Sequence, residues 1–213
     1  FQMIILGSEP QNSVPRFFMN TGRYIFSQIV DFLPKRKFER IMEHRTKNKV
    51  EDRTLGWQLS YWGQLLVLIF GQLLGCRSLR ELTDITTAHR RKSFHLGFGK
   101  ETVDRNILSR CNTNRDWHVF EEFANHMIML AQEARIDREF CIGGKFYAFD
   151  SSTIDLCMSV YDWAKFRSTK SGIKLHTQLD IVTQIPVMIN ITNASVHDVN
   201  AMDEIPYEPN AFY

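Results

Sequence analysis

The chain has 213 residues, of which 44% are hydrophobic and 23% charged, and its formal net charge is +2. That is ordinary globular composition, long enough for one full domain or two small ones, and bulk charge alone points to no partner. Cys76, Cys111, Cys141 and Cys157 stand far apart with no C-x-x-C pair, which excludes a zinc-finger pattern or disulfide framework and makes a reducing cytosol the expected compartment.

Charge distribution says more than its sum. Lys35 to Arg53 holds eight basic residues against four acidic ones, and Arg77 to Arg110 repeats the excess. No Lys or Arg follows Lys174, whereas Asp180, Asp198, Asp203, Glu204 and Glu208 do. A polyanion partner for the basic part and a set of solvated helix faces both account for this pattern. The N-terminal "FQMIILGSEPQNSVPRFF" has no basic start and too short an apolar run for a signal peptide. We expect residues 1–18 to be a non-native or disordered extension, with Met19 as the natural start.

The first half reads as helices. "RYIFSQIVDFL" sets Ile25, Phe26, Ile29, Val30 and Leu33 on one stripe and stops at Pro34. "KRKFERIMEHR" puts Phe38, Ile41 and Met42 on one face. Thr54 to Cys76 carries no charge and is long enough to span a bilayer, yet includes Gln58, Gln64 and Gln72; a buried helix is the better reading and no membrane partner is expected. Ser78-Leu79-Arg80-Glu81 is a capping box. "ETVDRNILSRCNTNRDW" predicts a short helix with Val103, Ile107 and Leu108 inward and Arg105, Asn106 and Arg110 outward, a candidate second helix of a helix-turn-helix. "RDWHVFEEFANHMIMLAQEA" predicts a long amphipathic helix on Trp117, Phe120, Ala124, Met127, Ala131 and Ala134.

At Gly143-Gly144 the period changes. "KFYAFD" reads as a strand ending on Asp150, an acid that either caps the next turn at an exposed strand end or binds something positive. "GIKLHTQLDIV" alternates Ile173, Leu175 and Thr177 against Lys174, His176 and Gln178. "IPVMINIT" is a near-continuous apolar run, the pattern of a strand covered on both faces, and Gln184-Ile185-Pro186 joins the two as a hairpin. "SVHDVNAMDEI" predicts a short helix capped by Ser195 or Asp198, and "NAFY" the start of another strand.

"YAFDSSTIDL", "WAKFRSTKSGIKLHTQLD", "IPVMINIT" and "SVHDVNAMDE…NAFY" resemble, in order and spacing, the DDE transposases of bacterial insertion sequences, the insertion-sequence-four group. "LLGCRSLREL" and "NRDWHVFEEF" are similar to that group's N-terminal part, so the resemblance covers nearly everything after Met19. It implies an α+β chain: a helical DNA-binding region over 19–140, then over 143–213 the first half of a ribonuclease-H-like catalytic domain, an incomplete mixed sheet with a crossover helix. It also implies a metal-binding triad of two Asp and one Glu. The first Asp maps onto Asp150 in "DSST". The second belongs to an Asp-Arg-Gly-Tyr-like motif a few residues past Tyr213, and the Glu lies far downstream. Asp162 and Lys170-Ser171-Gly172 depart from the group's pattern in a loop, not at the metal position.

In that chemistry two divalent ions about 4 Å apart activate the attacking and leaving oxygens of a phosphodiester. Hard carboxylates suit Mg²⁺ or Mn²⁺, the cofactor expected of the full-length enzyme. Asp150 is therefore the expected catalytic metal ligand. Lys165, Arg167, Lys170, Lys174 and His176, with no acid between Trp163 and Gln178, are expected to contact phosphates; a solvated hairpin edge guarded by lysines is the rival reading. Arg105 and Arg110 are the candidate contacts of the helical region. Trp163 and Phe166 are read as packing residues. The implied function is end-specific DNA cleavage and strand transfer on double-stranded DNA in a bacterial cytoplasm, with a homo-oligomer in the DNA complex left open. A single Asp cannot hold two ions, so this stretch alone is expected to be inactive. The alternatives are a non-catalytic DNA-binding fragment that inhibits transposition, an inert remnant, and a membrane-associated helical protein.

Overall fold

The computed structural model describes residues 24–46, 59–93, 96–98, 102–134, 144–156, 162–203, 205 and 207–213. The proposed extension 1–18, Met19, Gln58, Cys141, Gly143 and Cys157 lie outside them. The chain is α+β, with eight α-helices and a mixed five-stranded sheet among the described residues. It divides into two compact units, Phe1–Phe123 and Ala124–Tyr213.

The first unit contains α1 (Ile25–Val30), α2 (Lys35–Thr46), α3 (Tyr61–Leu73), α4 (Leu79–Ala88), α5 (Arg90–Ser93), α6 (Arg105–Asn114) and the start of α7 (His118–Glu133). The uncharged segment forms α3, which is only 13 residues long. Ser60 caps it by accepting the Gly63 N–H at 2.9 Å. It ends in a Schellman turn: Gly75 takes φ +69°, and the Cys76 and Gly75 N–H groups return to the Gly71 and Gln72 carbonyls. No helix among the described residues is long and apolar enough to cross a membrane. Gln64 is instead used internally: it is 2% exposed, accepts from the buried Arg115 guanidinium at 2.8 Å and donates to Asn112 at 2.7 Å.

The core of this unit gathers Phe26, Leu66, Val67, Leu82, Leu108 and Cys111, and Gly71 lets α4 approach so closely that a Cβ there would lie 2.9 Å from Leu82. A second aromatic group joins Phe38 to Trp62 and Phe123 at 5.4 and 5.1 Å. Ser78 caps α4 through the Glu81 N–H, and Glu81 reaches back to the Arg77 N–H, one residue earlier than a standard capping box. Two stripes differ from expectation. On the α1 stripe Phe26 is buried and Val30 and Leu33 pack against the same core as expected, whereas Ile25 and Ile29 are 65% and 38% exposed. On α7 the buried residues are Val119 and Phe123, while Trp117, Ala124, Ala131 and Ala134 are exposed. Val119 and Phe123 bury more apolar area than alanines can, and that area decides which face turns inward.

The second unit is built on β1 (Lys145–Leu156), β2 (Lys165–Arg167), β3 (Lys170–Asp180), β4 (Pro186–Asn193) and β5 (Ala211–Phe212), with α8 (Asp198–Met202) crossing between β4 and β5. β1 pairs antiparallel with β3 from Tyr147↔Asp180 to Leu156↔Ser171, β3 pairs antiparallel with β4 and β2, and β5 returns parallel to β1 at Lys145↔Ala211 and Phe146↔Phe212. The expected hairpin is present: Asp180 accepts the Val182 and Thr183 N–H groups at 2.9 and 3.2 Å, and Gln184 turns the chain at φ 57°. The alternation of β3 is inverted relative to a simple hydrophobic reading. His176, Gln178 and Asp180 are the buried side, and Ile173, Leu175 and Thr177 are only half-buried. β4 is not covered on both faces, because Ile189 and Ile191 are 37% and 55% exposed.

Candidate functional site

Asp150 sits in the middle of β1, not at an exposed strand end, because the strand runs on through "SSTIDL". Its cross-strand partner is Thr177. The side chain is exposed, and its Oδ1 accepts the Ser151 N–H at 2.8 Å. β5 pairs with β1 only at Lys145 and Phe146, so among the described residues the β5 side of β1 is open beside Asp150. Asp155 falls on the opposite face by alternation and is also exposed.

Ser151 begins the other face. Opposite it lies His176, 0% exposed, whose Nε2 is 2.8 Å from the Thr192 hydroxyl and whose ring stacks on Phe149 at 5.9 Å. Its Nδ1 is 3.6 Å from Asp198 and makes no hydrogen bond. Asp198 does not cap α8; His197 holds the cap position without a side-chain bond. The Asp198 carboxylate turns to the sheet, where the Ser151 hydroxyl and then the Lys174 ammonium, 3.1 Å away, hold it below the usual carboxylate range. Lys174 also donates to the Val196 carbonyl at 2.9 Å. Ser151, Lys174, His176 and Asp198 thus form a clasp that seats α8 on the sheet.

The residues expected to contact phosphate therefore separate into two groups. Lys165, Arg167 and Lys170 are exposed on the β2–β3 hairpin. His176 is a correction: it is enclosed beneath α8 and presents nothing to solvent. Lys174 is half-buried and held by Asp198. Trp163 is a second correction. It is 68% exposed instead of packed. Arg105 and Arg110 are exposed on α6, but five residues apart they project about 140° from one another and do not share one helix face.

Reading the sequence missed the buried Arg115 and the clasp at Asp198. Polar residues at alternating positions 174, 176 and 178 were the available signal, since a covered strand can present them inward only when they find partners. Among the described residues no group of three or more His, Cys, Asp or Glu lies close enough to hold a metal ion. Asp150 offers one hard oxygen ligand, which does not by itself make a two-ion centre.

A family model described as a domain of unknown function (DUF4372) matches residues 21–99. No curated protein and no solved structure matches the chain.

Proposed function

We propose that this chain is part of a metal-dependent DNA transposase: a helical DNA-binding region followed by the opening half of a ribonuclease-H-like catalytic domain. The observation that carries the reading is the sheet order around Asp150. Four antiparallel strands, a crossover helix and a fifth strand returning parallel beside the first put an exposed carboxylate on β1, next to the edge that β5 joins. Tyr147 lies opposite Tyr213 in the continued register, so residues following Tyr213 would run alongside Asp150. That is where the resemblance expects the second acid.

On this reading Asp150 is a ligand of Mg²⁺ or Mn²⁺ in the longer protein, and Lys165, Arg167 and Lys170 neutralise backbone phosphates without reading sequence. Among the described residues Asp150 has no companion acids that would complete a two-ion centre, so duplex binding without cutting is expected of this chain. The test is fluorescence anisotropy on labelled duplex across a salt series, together with supercoiled plasmid incubated with Mg²⁺. Binding that weakens steeply with salt, with no nicking, is expected. Absence of duplex binding refutes the reading, and nicking that disappears in Asp150→Ala refutes the claim of inactivity. Sequence following Tyr213 without an Asp-Arg-Gly-Tyr-like stretch removes the transposase assignment.

A further inference from the structure

Beyond phosphate neutralisation, the hairpin beside the sheet carries a feature suited to unpaired bases. Trp163 sits in a single 3-10 turn, Asp162–Ala164, that leads directly into β2, and the residue is 68% exposed. The turn is anchored. Ala164 is 0% exposed, and Asn193 on β4 donates its side-chain N–H to the Trp163 carbonyl at 2.9 Å. Phe166, half-buried, packs where a Cβ on Gly172 would approach it to 3.1 Å, which turns Lys165 and Arg167 outward on either side. Lys170 faces Arg167 across the hairpin. Among the described residues no acid pairs with these three cations.

An exposed indole on a fixed backbone, flanked by three cations, is the arrangement of single-strand binding surfaces: bases stack on the ring while the cations follow the backbone. The hairpin also lies at a useful distance. Lys165 pairs with Ser171, six residues along β3 from Thr177, the partner of Asp150, so the two positions share one face about 20 Å apart at roughly 3.3 Å per residue.

We propose that Trp163, with Lys165, Arg167 and Lys170, forms a stacking platform for unpaired bases of a DNA strand whose backbone passes Asp150. This rests on the DNA-processing reading above and adds the single-stranded substrate to it.

The test uses the whole chain and a fluorescein-labelled single strand of about 16 nucleotides, compared with the same strand in duplex. Trp163→Ala is expected to weaken single-strand binding on the order of tenfold and duplex binding by less than about twofold, while Trp163→Phe retains most of the single-strand affinity. Equal losses on both probes, or no loss on either, overturn the proposal. Wild-type binding to duplex without binding to the single strand overturns the platform and leaves the duplex reading standing. Binding to neither probe defeats both.

Discussion

His176 separates a surface phosphate contact from a structural clasp. Truncation to alanine removes the hydrogen bond to Thr192, a contribution of about 0.5–1.5 kcal/mol. It also empties a fully enclosed ring site stacked on Phe149. Aromatic-to-alanine changes in cores cost about 3–5 kcal/mol, and an imidazole is smaller than those rings. Its Nδ1 is already without a hydrogen bond, so part of the native cost of burial is relieved on removal. The net expectation is a destabilisation of roughly 2–4 kcal/mol in the sheet unit. Urea denaturation measures it as a lower midpoint at unchanged slope. The companion measurement is the salt dependence of DNA affinity under conditions where the variant stays folded. Losing a phosphate contact lowers that slope by about one, whereas losing a buried residue leaves it unchanged. Stability altered by less than about 0.5 kcal/mol, together with a slope reduced by about one, would show that His176 faces the nucleic acid and that the clasp is misassigned.

Arg115→Ala in the helical unit leaves the Gln64 side-chain oxygen and the Leu59 carbonyl without their donor and removes a cation–π contact on Tyr61. A loss of about 3–5 kcal/mol is expected by chemical denaturation, and a loss below about 1 kcal/mol contradicts the buried network. Asp150→Ala touches an exposed side chain and is expected to change stability by no more than about 0.5 kcal/mol; a larger loss means that Asp150 supports the fold and is not held for a ligand. Glu208 bonds both Lys145 and the Tyr147 hydroxyl beside β5. The Glu208 hydrogen bond raises the Lys145 pKa, and burial followed by that carboxylate raises Tyr147. Both folded values lie above the unfolded ones, so their stabilisation is full below about pH 10 and is lost as pH rises through the folded values. Near-UV circular dichroism of the adjoining Tyr207 and Tyr213 is expected to change in that alkaline range. Tyr147→Phe, which removes one titrating group, narrows the change, and an identical titration in that variant contradicts the contact.

Local chemistry was legible without the fold. Ser78 announced a helix start, Gln184-Ile185-Pro186 the hairpin, and "NAFY" a strand beginning after a short helix. The order of the longer strands and the crossover helix followed from changes in period, whereas the short β2 went unread and the mixed sheet was only what the resemblance implied. These signals act over a few residues, where backbone hydrogen bonds and side-chain size decide the outcome. What alternation cannot specify is which side of a strand will be covered, because period two is the same from either face. That choice was made by α8: Asp198 binds Lys174 and Ser151, draws the helix onto the polar side of β3, and encloses His176 while Asp150 stays open on the other. The partners are 24 and 47 residues apart, so only the folded sheet brings them to one place.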